Sequence, residues 1–355
     1  MAEYGIGGGL NTFVPTFSPA TGQIQVEFTR SVNRFPITQY AQIVPVTQMS
    51  GYFLRIDEEE AARVVSVQDQ QWALGEDRPT GINTDFEFTQ FTTQRFQASF
   101  AIPNETVKQA SWDLVASHAR IQAAKMMSHR TYRAASILTT AANYNGGAAI
   151  TSYVSTNTAG FYNKASYVNN LTNGITGTDG VQVLFRSACE KIMQATNGVV
   201  GPKDIIAVMN PATARILAST EAVREYVRYS PNALAFLQGD ATFSAYGLPQ
   251  NLFGVGGIVV DDTVTVSTRK GGVGTKAFFY GTVASPAIAF VARPNGLVAN
   301  EGPTFSTLTV FAYEDMTVET LDDPWNRRIR GSVVDNSAVV MTAPLTALYV
   351  ADITS

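Results

Sequence analysis

The chain has 355 residues and a formal net charge of −4, from 25 basic and 29 acidic side chains. Hydrophobic residues make up 45% and charged residues 15%, which is enough apolar content for a large core and too much for a disordered chain. The lack of a basic excess argues against a dedicated nucleic-acid-binding domain. The single cysteine, Cys189, excludes an internal disulfide, and no run of about 18 apolar residues predicts a membrane span.

Residues 1–50 read as an extended arm. Gly7-Gly8-Gly9 loosens it, and Pro15, Pro19, Pro36 and Pro45 interrupt any helix. Phe13, Phe17, Phe28 and Phe35 need a surface to cover them, either the chain's own core or a neighbour. The first residues lack the basic and apolar regions of a secretory signal, so folding in a reducing cytoplasm is expected.

Residues 51–102 predict a long β-hairpin around the turn-forming segment Gly75–Gly81. Its return strand alternates through Phe86 and Phe88, shifts near Gln90–Phe91, and resumes through Phe96, Ala98, Phe100 and Ile102. Alternation implies one buried face, and the shift implies a bulge. Residues 104–143 predict one helix, with Asn104 as N-cap and Val107, Ala110, Leu114, Ile121 and Ala135 on one side. Such a helix spans roughly 60 Å, whereas a compact sphere of this chain length is about 50 Å across. The sequence therefore predicts an elongated subunit with a helical spine.

Residues 144–180, rich in Asn, Gly, Ser and Thr, predict a surface loop with short strands near Ala149–Val154. An α/β lobe follows. Helices are expected at Val181–Ala195, from Pro211, and at Glu221–Arg228 and Asn232–Leu237. Strands are expected at Ile205–Met209, Gly257–Val260, Val264–Ser267, Ala277–Gly281 and Ala287–Val291. Ser306–Leu321 alternates for about fifteen residues, long for a strand, and the spine helix is the expected neighbour. Asp322-Asp323-Pro324 ends it, and short strands at Ile329–Asp335, Ala338–Met341 and Ala347–Val350 close the chain.

No catalytic constellation emerges. His118 and His129 lie on one helix face about 16 Å apart, too far to share a metal; packing is the expected role. Gly271–Lys276 lacks the order of a phosphate loop and reads as a hairpin turn. The acidic groups Asp57–Glu60, Asp261-Asp262 and Asp322-Asp323 lack EF-hand spacing and read as solvated strand ends. Lys108, Arg120, Lys125, Arg130 and Arg133 make the spine mildly basic, through a solvated face or a face toward nucleic acid. No metal or cofactor is expected, and the chain is not expected to be an enzyme.

The order of elements resembles the Hong Kong 97-type shell fold of tailed-phage major capsid proteins, an α+β fold. The resemblance rests on Phe86–Ile102 running into Asn104–Tyr144, on Val208-Met209-Asn210-Pro211-Ala212-Thr213, and on Arg328–Asp335 with Ala343–Ala347. It implies an N-terminal arm (1–50), an extended β-hairpin loop (51–102) and a peripheral domain with the spine helix (103–180). It further implies an axial domain (181–302), a long peripheral strand (303–326) and a C-terminal β tail returning to the axial domain (327–355). The implied function is self-assembly into hexamers and pentamers that enclose double-stranded DNA. A separate scaffolding protein, a portal, a decoration protein and non-specific DNA contact are the implied partners, with no membrane. Trp72, Arg78, Phe91 and Arg95 are the expected inter-subunit contacts, because aromatics and arginine dominate interface energetics; Phe91 fits a core position nearly as well. Residues 51–102 contain no lysine, so the inter-subunit crosslink of some relatives cannot start from this hairpin. The rival readings are an encapsulin-like compartment shell and, from another class, a β-rich enzyme using the acidic pairs.

Overall fold

The computed structural model describes residues 34–56, 86–110, 113–144, 181–196, 198–229, 246–249, 251–266, 276–281, 286–293, 306–350 and 353. The first described element is a short helix, α1 (Ile37–Tyr40), followed by strand β1 (Gln42–Pro45). This part of the predicted arm is docked, not loose. Phe35, Ile37 and Tyr40 are buried in the subunit's own core. Phe13, Phe17 and Phe28 lie outside the described residues.

The predicted hairpin is divided between two sheets. Strands β2 (Ser50–Ile56) and β3 (Phe86–Thr92) pair antiparallel as a two-stranded ribbon. The chain then leaves that ribbon, and β4 (Gln94–Pro103) joins a four-stranded sheet. The predicted bulge is thus a strand switch. Thr93 marks it, and both its N–H and its hydroxyl donate to the Met49 carbonyl. The hairpin's predicted turn, Gly75–Gly81, lies outside the described residues.

The predicted single helix is also divided. α2 (Asn104–Gln109) ends at Ala110, and α3 (Leu114–Thr139) begins after Asp113. Both flanking residues have extended backbone, and the Asp113 carboxylate accepts from the Ala116 N–H at 2.9 Å. That is an N-cap, which supplies one of the acceptors a helix start needs. Asn104 is the first helical residue and makes no side-chain cap. The 26 residues of α3 span about 39 Å, not the predicted 60 Å.

The remaining elements are α4 (Val181–Ala195), β5 (Ile205–Met209), α5 (Pro211–Ser219), α6 (Glu221–Tyr229), β6 (Gly257–Val260), β7 (Val264–Val266), β8 (Lys276–Phe278), β9 (Ile288–Ala292), β10 (Leu308–Asp323), β11 (Arg328–Met341) and β12 (Leu348–Val350). The first sheet has the order β1-β10-β11-β4. The long strand β10 runs beside β11, its antiparallel hairpin partner, and not beside the spine. The spine packs chiefly on β11 and β4 and only marginally on β10. Ile329–Asp335 and Ala338–Met341, predicted as separate strands, are one strand, β11; only β12 reaches the second sheet.

The second sheet has the order β12-β9-β5-β6. All five residues of β5 are buried, because both faces of the sheet are covered. Ile205, Ala207 and Met209 face the core formed with α4, α5 and α6. Ile206 and Val208 face a second core, which includes Met127, Ala134 and Leu138 of α3 and Leu308 and Val310 of β10. One hydrophobic cluster therefore joins the two sheets. β7 and β8 form a separate antiparallel pair flanking the glycine-rich segment read as a turn.

Candidate assembly surfaces

The alternation Phe96, Ala98, Phe100, Ile102 turns one face of β4 toward α3. The Phe96 ring lies 4.7 Å from His129, and the Phe100 ring 5.7 Å from His118. Both histidines thus pack on phenylalanines, as the packing reading predicts. Burial, reinforced by Arg133, holds His129 below the ordinary histidine range. Phe100 lies directly over Gly331, and a Cβ at that glycine would overlap the ring.

Behind these rings sits a buried ion cluster that the sequence did not reveal. Arg130 is 1% exposed. Its Nη2 donates to Asp315 at 2.8 Å and its Nε to Asp335 at 3.3 Å. Arg133 donates to Asp335 at 3.0 Å and to the Ser337 hydroxyl and carbonyl, while its guanidinium stacks over Phe96 at 4.2 Å. Burial pulls the Arg130 pKa down, but Asp335 and Asp315 outweigh it and the net shift is upward. These two arginines therefore do not belong to a solvated or nucleic-acid-facing stripe. Lys108, Arg120 and Lys125 remain exposed.

On the opposite face of the sheet, Arg95, Gln97 and Ser99 of β4 are exposed. Arg95 reaches across Asn336 toward Glu314 (3.9 Å) and Glu319 (3.7 Å) of β10. Along the same face, Gln97, Ser99, Ala101, Glu319, Leu321 and Arg330 line a groove of about 860 Å³. Phe91 is 7% exposed and stacks on Phe311 at 4.2 Å, so it occupies the core position that its alternation also allowed. Trp72 and Arg78 lie outside the described residues. At the far end of the β10–β11 hairpin, Trp325 is 95% exposed. Nothing in the spacing of its neighbours had singled it out.

In the second sheet, the strand-to-helix step is built around Asn210. Its side chain accepts from the Thr213 N–H at 2.6 Å and donates to the carbonyls of Tyr280 and Gly281. Asp261, expected to be solvated, is fully buried and accepts from the Thr263 N–H at 3.0 Å. It lies beside the buried Tyr40–Tyr280 hydroxyl pair, whose pKa values are raised by burial and by Asp261. Asp323 is a turn residue: it accepts from Asn326 and pairs with Arg328 and Arg330. Asp57–Glu60 lies outside the described residues. Among the described residues, no group of three or more His, Cys, Asp or Glu side chains is placed to hold a metal. No described helix is long and apolar enough to cross a membrane.

No protein-family model and no curated protein sequence matches this chain. Solved structures do match across nearly its whole length. A phage-related protein from Bordetella bronchiseptica RB50 superposes with a TM-score of 0.56 at 15% identity, covering 89% of this chain and 91% of that one. The bacteriophage PhiM1 mature capsid gives 0.54 at 13% identity, over 96% and 94% of the two chains. The capsid of cyanophage P-SCSP1u gives 0.53 at 13% identity, over 95% and 92%. The chain shares its α+β fold with this phage-related protein and these two phage capsid chains, as the resemblance implied.

Proposed function

We propose that this chain is the major capsid protein of a tailed phage, self-assembling into hexamers and pentamers of an icosahedral shell around double-stranded DNA. The observation that carries the proposal is the superposition on two phage capsid subunits over more than nine-tenths of both chains. A likeness confined to one sheet would be a shared motif; this one includes the spine, both sheets and the long hairpin. In the proposal, the second sheet with α4–α6 is the axial unit, and the first sheet with α3 is the peripheral unit. The extended hairpin lies across an adjacent subunit, with Trp72, Arg78 and Arg95 as contacts. Phe91, held by Phe311, braces the base of that hairpin. A separate scaffolding protein, a portal and a decoration protein complete the virion, and contact with DNA is non-specific.

The test is to express the full chain and examine it by size-exclusion chromatography and electron microscopy. Large hollow particles or rings are expected, and a small compact oligomer would sink the reading. Particles filled with protein cargo and unable to hold DNA would favour a compartment shell. Removal of residues 75–81 should leave free capsomers or monomers, and shells of normal form from that variant would refute the hairpin's role.

A further inference from the structure

Asn210 does more than its place at the start of α5 requires. An N-cap needs one acceptor, and Ser, Thr or Asp can supply it as Asn does. Asn alone among them adds two amide hydrogens. Its Oδ1 takes the Thr213 N–H at 2.6 Å, while Nδ2 donates to the carbonyls of Tyr280 at 3.1 Å and Gly281 at 3.0 Å, 70 and 71 residues away in sequence. Those two carbonyls belong to a turn that is unfavourable on its own. Tyr280 has a φ of 57° and Gly281 a φ of 88°. Glycine takes such angles freely, but a residue with a Cβ takes them at a cost and needs its surroundings to hold it there. In this turn the Tyr280 side chain is 1% exposed, and its hydroxyl meets that of Tyr40 at 3.3 Å. Tyr40 is buried and is the last residue of α1.

We propose that Asn210 is a positioning residue for the root of the N-terminal arm. By holding Tyr280 and Gly281 in the left-handed region, it keeps the Tyr280 hydroxyl against Tyr40 and so couples the first turn of α5 to the seat of α1. The coupling runs through directional contacts between separate elements. Asn210 grips the turn, the turn meets α1, and the chain continues from α1 into β1, which is annealed to β10 of the first sheet. Burial of Phe35 and Ile37 keeps α1 in the core but is non-directional and does not fix its orientation. The hydroxyl pair does, together with the Thr38 carbonyl, which accepts from Arg293. The consequence for assembly rests on the shell reading: an arm that clasps a neighbour starts from α1, so the second sheet sets its starting point. The coupling itself does not depend on that reading.

Amide hydrogen exchange on the full chain tests it. Asn210→Ser keeps a capping oxygen and loses both amide hydrogens. The amides of Thr38, Gln39 and Ala41, which bond to the carbonyls of Phe35, Pro36 and Ile37, should then exchange about tenfold faster, as the loss of one hydrogen bond's worth of protection allows. Those of Thr213 and Ala214, at the start of α5, should keep their protection. Tyr40→Phe removes the hydroxyl, keeps the ring, and should speed the same α1 amides. Because both changes act through the hydroxyl pair, the double variant should show less than the product of the two single effects. Faster exchange at α5 with α1 still protected would make Asn210 a cap and nothing more, and would overturn the coupling. So would wild-type exchange at α1 in Asn210→Ser, or single effects that multiply in full. None of these results touches the shell reading, which particle formation decides.

Discussion

At the scale of single residues, the buried Arg130–Asp335 pair should be the most sensitive point in the first sheet. Both side chains are withdrawn from water, at 1% and 0% exposure. Asp335 also receives Arg133, so removing its charge takes the carboxylate from Arg133 and leaves Arg130 with Asp315 alone. Breaking one side of such a pair costs about 3–5 kcal/mol, because the remaining charge stays buried without compensation. Asp335→Asn should lower subunit stability by about that amount in denaturant titrations; a loss below about 1 kcal/mol would mean that the site behaves like a surface pair. His129 gives a pH signature. It faces Phe96, Tyr132, Arg133 and Asp335, and its pKa lies below 6.5 in the folded chain. The unfolded chain therefore binds more protons just below pH 6.5. The contribution is fully present above that pH and is lost as pH falls toward the folded pKa. His129→Gln should flatten the decline in unfolding midpoint between pH 7 and 5, and parallel curves for variant and wild type would remove His129 as its source. None of this cluster was legible from local spacing. Arg130 and Arg133 looked like members of a solvated stripe because their partners, Asp315 and Asp335, lie about 200 residues away in sequence.

At the scale of elements, the strand pattern was more informative than the helix pattern. The period of two through Phe96, Ala98, Phe100 and Ile102 identified the face that meets α3, since a side chain on a strand has only two directions to point. The helical reading ran through Ala110–Asp113 because no proline or glycine interrupts it, and propensity alone is a weak prior. Asp113 was the available signal: an aspartate at an N-cap satisfies an orphan N–H that it cannot reach from a helix interior. Likewise the shift near Gln90–Phe91 was read as a bulge, although the chain changes sheets at Thr93. The sequence pattern reports which face is buried, not against which sheet. The seat of α3 can be tested at Gly331. An added methyl would overlap the Phe100 ring, which also stacks on His118. Gly331→Ala should cost about 1–3 kcal/mol, as overpacking does, measured by thermal unfolding. Pairing it with Phe100→Leu should return part of the loss; additive effects would argue against the overlap as its cause.

At the scale of the whole molecule, the length of no single described element requires the elongated subunit that a helix of roughly 60 Å had implied. α3, at about 39 Å, fits within a sphere of this chain length. β10 has 16 residues, but two register shifts shorten its run beside the 14 residues of β11 to about 47 Å, so the β10–β11 ribbon crosses about the full width of a compact body without exceeding it. Its inner half is buried and its outer half exposed, which suits a subunit whose surface is completed by neighbours. Residues 51–102, the part expected to lie across a neighbour, contain no lysine. An amide crosslink to an asparagine needs a lysine amine as nucleophile, and without one the hairpin can offer only hydrophobic, hydrogen-bonded and ionic contacts. Assembled particles boiled in detergent under reducing conditions should therefore run as a single band at the 38.2 kDa of the monomer. A ladder of higher species surviving reduction would mean a covalent bond formed from some other lysine, and would overturn the view of this shell as a non-covalent assembly. If the single band is found, particle stability should instead follow salt, because contacts between subunits made by exposed charges such as Arg95, which within its own chain already faces Glu314 and Glu319, are screened by salt. Disassembly that rises with ionic strength in wild-type particles, and less steeply in Arg95→Gln particles, would place that charge among the contacts between subunits.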